Sequence, residues 1–269
     1  AGGDATALLG RAPLDVRINR LKPAPLVLPV AGEPTAAPDA LRFPSGTPVE
    51  QWGAFKAGQI EVQDTGSQLA CLAVEASPGE TVIDLCAGAG GKTLALAAAM
   101  GGKGRLIACD TDRPRLSRLT PRAERAGALF IETRLLNPGR EEEALSDLAG
   151  RVDAVLVDAP CSGTGTWRRN PEARWRLTPD EIARYAAIQA RLLDLAATLV
   201  RPGGRVVFVT CSLLDVEGAD GAAGFLQRHP AWRADAPDLP AGAPRGAGWR
   251  LAPGRDGTDG FFIARFVSP

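Results

Sequence analysis

Two cysteines follow short apolar segments that are typical of buried β-strands. Cys161 stands in Asp158-Ala-Pro-Cys161-Ser-Gly after the apolar residues 154–157, and Cys211 stands in Val-Thr-Cys211-Ser after residues 206–209. In an open α/β sheet, ligands bind beyond the carboxyl ends of the strands. Two thiols at that edge, one of them close to a carboxylate, therefore predict covalent chemistry on an electron-poor ring.

Such chemistry has a specific use on pyrimidines. Carbon 5 of cytosine or uracil is a poor nucleophile, but a thiolate that adds to carbon 6 turns the ring into an enamine whose carbon 5 can accept a methyl group. A carboxyl group that is protonated, or that shares a proton with N3, can stabilise the developing charge, and Asp158 precedes Cys161 closely enough to be that group. A base must then remove the proton on carbon 5 and the thiol must leave, so a second cysteine has a role in this scheme.

The alternative interpretation of any cysteine is a small apolar core residue. We favour that alternative for Cys71, Cys86 and Cys109. Small and polar neighbours favour a functional role for the other two cysteines: Pro160, Ser162, Gly163, Gly165 and Ser212.

A glycine-rich loop joins the first predicted strand of the main domain to a helix. It contains Asp84-Leu-Cys86-Ala-Gly88-Ala-Gly90-Gly91-Lys92-Thr93. Glycines let the backbone approach a ligand closely, and the helix N-terminus favours an anionic group. Asp110 ends the next predicted strand, where a carboxylate can accept hydrogen bonds from ribose hydroxyls.

Three interpretations of this loop stay open at this point. A P-loop has a glycine where this chain has Cys86, and a dinucleotide fingerprint has a third glycine three residues after Gly90, where this chain has Thr93. Loops that bind S-adenosylmethionine are less strict, with one acid before the glycines and one at the end of the next strand, as Asp84 and Asp110 are. The loop favours a methyltransferase over an NTPase or a purely structural turn.

Composition excludes several other classes. Five cysteines without a CxxC pair argue against a disulfide framework or a zinc site, and they predict a reducing cytoplasm and no metal. The single histidine, His229, precedes a proline, so most hydrolase mechanisms lack a base.

No run approaches the ~18 to 20 apolar residues of a membrane helix. The start has neither a methionine nor a signal-peptide profile, and Met100 is the only methionine, so we expect a piece of a longer protein.

Charge gives a weaker signal, because 31 basic and 31 acidic residues balance. The arginines cluster in two places, which suits phosphate recognition and is equally explained by a GC-rich genome. The clusters are Arg113, Arg115, Arg118, Arg122 and Arg125, and Arg168, Arg169, Arg174 and Arg176.

Alternating strands and helices predict an α/β fold with a doubly wound, mostly parallel Rossmann-like sheet. We predict a proline-rich N-terminal region over residues 1–62 and a catalytic domain over residues 63–269. Predicted strands are 81–85, 105–109, 129–132, 152–157 and 205–210, and 260–266 is expected at an edge of the sheet. Predicted helices are 64–75, 93–100, 114–127, 141–148, 179–200 and 219–228.

Taken together, these motifs resemble the RNA cytosine-C5 methyltransferases of the Sun / nucleolar-protein family, specifically the bacterial small-subunit rRNA methyltransferase B type. The resemblance extends over nearly the whole chain. It rests on the glycine-rich loop and on Asp158-Ala-Pro-Cys161-Ser-Gly-Thr-Gly, Thr210-Cys211-Ser-Leu, Gln63-Asp64-x-x-Ser67-Gln68, Asp259-Gly260-Phe261-Phe262-x-Ala264 and Ala12-Pro13-Leu14-Asp15-Val16-Arg17-Ile18-Asn19.

The resemblance implies that the protein is a monomeric enzyme that uses S-adenosylmethionine to methylate cytosine C5 in RNA, expected to be 16S rRNA, without a membrane or a metal. It assigns Cys211 as the nucleophile, Cys161 as the residue that assists product release, and Asp158 as a contact to the pyrimidine. The residues alone do not order the thiols, because DNA cytosine methyltransferases use the Pro-Cys thiol. The implied cofactor contacts are Cys86, Ala87, Gly88, Ala89, Gly90, Gly91, Lys92, Asp110, Arg115 and Asp158.

The chain departs from the family pattern in three places. Gly88-Ala89 precedes Gly90 where the family usually has Ala-Pro, and Leu135-Leu136-Asn137 replaces a segment that often carries an aspartate near the adenine. Glu217-Gly218-Ala219 stands where the family typically shows Glu-Asn-Glu, so we expect altered support of the Cys211 loop.

The segment from Thr166 to Arg176 interleaves arginines with tryptophans directly after Cys161. Such residues can hold phosphates and stack a splayed base. The alternative is a packed loop whose tryptophans serve the core. The location favours RNA contact, and the predicted contacts are Arg168, Arg169, Arg174, Trp175 and Arg176.

Overall fold

The computed structural model describes residues 6–269, so the first five residues of the predicted N-terminal region lie outside it. The described chain begins with a small antiparallel sheet of strand order β2-β3-β1-β4. Its strands are β1 Leu14–Ile18, β2 Glu33–Pro34, β3 Ala40–Phe43 and β4 Ile60–Val62. Its core is apolar and includes an edge-to-face pair of Phe43 and Trp52.

The second, larger sheet carries the rest of the described chain. Its order is β11-β12-β13-β9-β8-β5-β6-β7, with β10 paired to β13. The five strands from β7 to β9 are parallel, and β13 is antiparallel to β9. Its strands are β5 Thr81–Asp84, β6 Arg105–Asp110, β7 Ile131–Leu135, β8 Val152–Asp158, β9 Val200–Thr210, β10 Arg233–Ala234, β11 Ala243–Arg245, β12 Gly248–Leu251 and β13 Phe261–Val267.

Helices cover both faces of the large sheet because alternate strand residues point to opposite sides. Val82 belongs to the core on one face and Ile83 to the core on the other, and both are fully buried. The helices of the described chain are α1 Gly53–Lys56, α2 Thr65–Leu72, α3 Gly91–Ala99, α4 Arg113–Leu116, α5 Leu119–Ala126, α6 Glu141–Ala144, α7 Pro179–Leu199, α8 Ala219–Arg228 and α9 Pro253–Asp256. None of them is long and apolar enough to cross a membrane.

The predicted Rossmann-like doubly wound fold is confirmed, and one strand position was wrong. Residues 260–266 were expected at an edge, but β13 lies inside the sheet with β9 on one side and β12 on the other. The proline- and glycine-rich stretch before it supplies the short strands β10 to β12, whose local pattern gave no strand signal.

Two predicted helices are interrupted. The helix over 114–127 is two helices, because Pro121 has no N–H to donate to the carbonyl of Ser117 and therefore starts a new first turn in α5. The helix over 141–148 is α6 followed by a 3-10 turn, Ser146–Leu148. The helix that was expected to run to residue 75 ends at Leu72, and Glu75 adopts a positive φ of 52°.

The small sheet is joined to the large domain by buried polar contacts. Asp15 accepts hydrogen bonds from the backbone N–H and the hydroxyl of Thr65, and Asn19 donates to the carbonyl of Ala126 at 2.8 Å. Glu61 pairs with Arg122 and Arg125. A boundary at residue 62 remains a proposal.

Candidate active site

The two cysteines that the sequence placed at strand ends meet in space. Strands β8 and β9 are parallel neighbours in which Asp158 lies opposite Val209, so the segments that follow them leave the sheet at the same edge. The Sγ atoms of Cys161 and Cys211 lie 3.4 Å apart, and both thiols are free.

The surroundings make the two thiols chemically different. The hydrogen bond from Cys161 lowers the pKa of Cys211 below its ordinary value, against the effect of burial and of the nearby Asp158 charge, while the cation of Lys92 lowers it further. The same hydrogen bond, burial and the negative charge of Glu217 raise the pKa of Cys161. These directions make Cys211 the thiol that ionises first, and a thiolate there would accept the hydrogen bond from Cys161.

A lysine–aspartate ion pair lies beside the thiols. Lys92 Nζ lies 2.7 Å from Asp158 Oδ2 and 5.5 Å from the centroid of the Phe261 ring. Burial alone would lower the pKa of Lys92, but the charge and hydrogen bond of Asp158, together with Cys71 and Cys211, outweigh burial and hold that pKa above its ordinary value. Lys92 therefore stays cationic at the site.

These groups line a cavity of about 580 Å³, which is within the usual range for small-molecule and cofactor sites. The thiols, Lys92 and Asp158 lie in its wall together with the carboxylate of Asp110 and the guanidinium of Arg115. The other lining residues are Leu85, Cys86, Thr111, Asp112, Leu136, Glu141, Ala159, Pro160, Thr166, Ile188, Arg191, Leu192 and Phe261.

The glycine-rich loop reaches the cavity only at its two ends. Cys86 and Lys92 line the wall, whereas the predicted cofactor contacts between them do not: Ala87, Gly88, Ala89, Gly90 and Gly91. The backbone N–H of Gly88 donates to Asp110 at 2.7 Å, and a Cβ on Gly88 would lie 2.7 Å from the guanidinium of Arg115. Glycine at this position thus lets Arg115 pack against the loop.

Asp84 has a different place from the one its sequence position indicated. It is fully buried outside the cavity wall and accepts a hydrogen bond from Thr93 Oγ1 at 2.6 Å. Burial raises the pKa of Asp84 to about 7. It is a core group that supports the first turn of α3.

Glu141 and Arg191 also line the cavity, although no sequence pattern predicted them. Glu141 is only 4% exposed, yet it lines the cavity next to Leu136, and its Oε1 lies 2.8 Å from Arg191 Nη1. Asn137, in the segment that departs from the family pattern, is exposed. Glu141 belongs to a run of three glutamates that looks like an ordinary solvated helix start, so no local signal distinguishes it.

The arginine-rich loop divides into two parts. Arg168 and Arg169 form a cluster of ion pairs with Asp64 and Asp259, so their charges are compensated within the protein. Trp175 is 79% exposed.

The guanidinium of Arg174 lies 5.0 Å from the Trp175 ring, and Arg176 is exposed beside them. This second part of the loop is available to a partner.

The departure at Gly218 has a steric reason. A Cβ there would lie 2.8 Å from Cγ of Phe262, a fully buried residue of β13. Only glycine fits between the end of the Cys211 loop and that ring. Among residues 6–269, no group of three or more histidine, cysteine, aspartate or glutamate side chains is placed to hold a metal ion.

Comparison with known proteins agrees with this geometry. A family profile described as "16S rRNA methyltransferase RsmB/F" matches residues 71–267. A curated protein of Salmonella arizonae, "Ribosomal RNA small subunit methyltransferase B", is 36% identical over 230 residues, which are 86% of this chain and 52% of that protein. The chain therefore spans about half the length of the curated relatives it matches.

Two solved structures are similar over almost the whole chain. The protein PH0851 superimposes with a TM-score of 0.89 at 33% identity, over 98% of this chain and 61% of that one. A methyltransferase homologue from Pyrococcus horikoshii gives 0.83 at 25% identity, over 99% of this chain and 90% of its own.

Proposed function

The chain belongs to the 16S rRNA methyltransferase RsmB/F family, and we propose that it transfers a methyl group from S-adenosylmethionine to carbon 5 of a cytosine in small-subunit rRNA. The observation that carries the proposal is the pair of thiols at 3.4 Å beside the Lys92–Asp158 ion pair, in one cavity. That combination suits addition to a pyrimidine, a reaction that an NTPase does not perform.

The cavity fits the cofactor by the chemistry of its wall. Asp110 is 8% exposed, and its side chain is held by the N–H groups of Gly88 and Asp112, so it is fixed where it can accept from ribose hydroxyls. Leu136 offers apolar surface and Glu141 an acceptor for an amino group. S-adenosylmethionine, when bound, supplies an electrophilic methyl group.

Cys211 starts the reaction as the thiolate. Its sulfur forms a bond to carbon 6 of the cytosine, and the ring electrons move toward carbon 5 and N3. Lys92 Nζ donates a hydrogen bond to Asp158 Oδ2, and the other oxygen of that carboxylate is left to contact the edge of the pyrimidine. Carbon 5 would then form its bond to the methyl carbon as the bond from that carbon to the sulfonium sulfur breaks, with the electron pair of the broken bond remaining on the sulfur.

Cys161 acts in the release step. Once carbon 5 carries the methyl group, its proton passes to a base, and the electron pair of the broken C–H bond re-forms the ring double bond as the Cys211 sulfur leaves. Cys161 lies within hydrogen-bonding distance of that sulfur, so it can assist its departure.

The RNA would approach over the exposed part of the loop after Cys161. Arg174 and Arg176 can contact phosphates and Trp175 can stack a base, because the target cytosine must leave its stack to reach a thiol. Arg168 and Arg169 are paired with aspartates, so they would contribute to RNA binding by holding the loop in its conformation and not by contacting phosphates.

The test is methylation of small-subunit rRNA by the wild type, Cys211→Ala, Cys161→Ala and the control Cys71→Ala. Cys211→Ala should abolish transfer, whereas Cys161→Ala should accumulate a protein–RNA adduct that survives denaturation. Cys71 is buried outside the cavity wall, so its variant should retain activity if it folds. Full activity of Cys211→Ala would contradict the mechanism, and an adduct trapped by Cys211→Ala would exchange the roles of the thiols.

A titration separates the remaining alternatives. We expect the protein to bind S-adenosylmethionine and not ATP with Mg²⁺. Binding of ATP alone would favour the NTPase interpretation of the glycine-rich loop, and cofactor binding without methyl transfer to any rRNA would favour a non-catalytic RNA-binding protein.

A further inference from the structure

One buried carboxylate ties together the loops that carry the two cysteines. Glu217 is fully buried in the 3-10 turn Asp215–Glu217, shortly after Cys211. Its Oε1 accepts a hydrogen bond from the backbone N–H of Ser162 at 2.8 Å, and its Oε2 accepts from Ser212 Oγ at 2.6 Å and from Ser162 Oγ. Ser162 and Ser212 are the residues that directly follow the two cysteines.

Further hydrogen bonds extend this link between the two loops. Thr164 Oγ1 lies 3.1 Å from Ser212 Oγ and accepts from the backbone N–H of Leu213 at 2.9 Å. The backbone N–H of Gly165 donates to the carbonyl of Cys211 at 3.0 Å. The two cysteine loops thus form one hydrogen-bonded unit with Glu217 at its centre.

Glu217 does not act on the substrate directly. It does not line the active-site cavity, and among residues 6–269 no lysine, arginine or histidine lies within ion-pair distance of it. A buried charge without a counter-ion is costly unless hydrogen bonds satisfy it, and three donors around one carboxylate do so.

We propose that Glu217 is the positioning residue that sets the division of labour between the thiols, by holding the two loops so that Cys161 donates its proton toward Cys211 and not the reverse. Two effects act together. The hydrogen bonds fix the 3.4 Å contact between the sulfurs, and the carboxylate charge disfavours a thiolate at Cys161. The catalytic roles that this inference gives to Cys211 and Cys161 rest on the proposed function.

The test measures thiol ionisation and needs neither RNA nor cofactor. The protein is labelled with iodoacetamide over a range of pH, and the rates at Cys211 and Cys161 are read from their peptides by mass spectrometry. The charged groups that face the pair are Lys92, Asp158 and Glu217, and only the last is changed. In Glu217→Gln the side-chain NH₂ group is itself a donor, so it cannot accept the hydrogen bonds that the carboxylate accepts. We therefore expect the ratio of the labelling rate at Cys211 to the labelling rate at Cys161 to fall about tenfold at pH 7, as for a change of one pKa unit.

Two controls make the result specific. Asp215→Asn alters the same 3-10 turn, but Asp215 pairs with Arg245 and Arg250 away from the thiols, so its labelling ratio should match the wild type. Cys71 and Cys109 are buried and should stay protected in every folded variant.

If Glu217→Gln labels all five cysteines because it unfolds, Ser162→Ala and Ser212→Ala decide the question. Each removes one hydroxyl donor to Glu217, and each should lower the ratio about threefold. An unchanged ratio in the folded variants overturns the proposal. A lowered ratio in a protein that transfers no methyl group would leave this inference standing while the proposed function failed.

Discussion

At the scale of single residues, identical side chains acquire different chemistry from their neighbours. The contact with Cys161 and the cation of Lys92 lower the pKa of Cys211, whereas the contact with Cys211, burial and the charge of Glu217 raise the pKa of Cys161. Asp84 and Asp158 end adjacent strands, yet only Asp158 reaches the cavity with an ion-pair partner.

Asp84 makes a prediction about pH and stability. Its pKa of about 7 in the folded protein lies above the ordinary value of 3.8, because burial disfavours the charged form. The folded state therefore loses stability relative to the unfolded chain as the pH rises from about 4 to about 7, by at most about 1.4 kcal/mol per pH unit from this group. In Asp84→Asn this contribution to the slope should vanish.

Urea unfolding between pH 4 and pH 8 measures that slope. The exposed residue Asp238 provides the control, since Asp238→Asn should follow the wild-type profile. Parallel profiles for the wild type and Asp84→Asn would show that Asp84 is ionised equally in both states.

At the scale of elements, the parallel pairing of β8 and β9 brings the thiols together, and neighbouring elements fix the loops after them. Helix α7 begins with a capping box between Thr178 and Glu181. Gln189 of this helix, almost fully buried, donates to the carbonyl of Pro160 at 2.9 Å and so holds the residue before Cys161. Helix α8 begins at Ala219, and its N-cap residue Gly218 directly follows Glu217.

Two glycines at the start of α8 should respond in opposite directions to alanine. Gly218→Ala places a Cβ 2.8 Å from the buried Phe262 ring, so we expect a loss of about 1–3 kcal/mol in the free energy of unfolding. In Gly221→Ala the nearest atom lies at 3.6 Å, an ordinary contact, and helix propensity should stabilise the protein by about 0.5–1 kcal/mol. Urea denaturation of both variants is the measurement, and equal effects would contradict the steric account of Gly218.

At the scale of the whole molecule, the small sheet is attached to the large domain through buried charges. Glu61 in β4 is 2% exposed, and its two oxygens lie 3.1 Å from Arg122 Nη2 and 2.6 Å from Arg125 Nη2 in α5. The cluster of Arg168 and Arg169 with two aspartates connects the loop after Cys161 to the start of α2 and to the segment before β13.

Glu61→Gln should weaken the attachment of the small sheet. The loss of two charge-assisted hydrogen bonds is expected to lower the free energy of unfolding by roughly 1–3 kcal/mol. Because the two parts share buried contacts, urea should still give one transition by both circular dichroism and tryptophan fluorescence. Glu33→Gln, at an exposed position in β2, is the matched control. Separate transitions for the two parts in the wild type would contradict this coupling.

The sequence by itself determined the doubly wound fold and the edge of the sheet at which the two thiols and Asp158 lie. These features depend on local patterns, namely apolar runs that end at polar or reactive residues and glycines that precede a helix. The resemblance added an order for the thiols that local patterns did not contain.

Only the tertiary structure decided which groups surround those residues. Glu217 binds serines from both loops, Glu141 enters the cavity from α6, and Arg168 and Arg169 are paired with Asp64 and Asp259. The place of β13 inside the sheet likewise depends on β12, which gave no strand signal. The physical reason is that ion pairs, buried hydrogen bonds and strand neighbours form between residues far apart in the chain, and their energies depend on distance and burial, which no local pattern encodes.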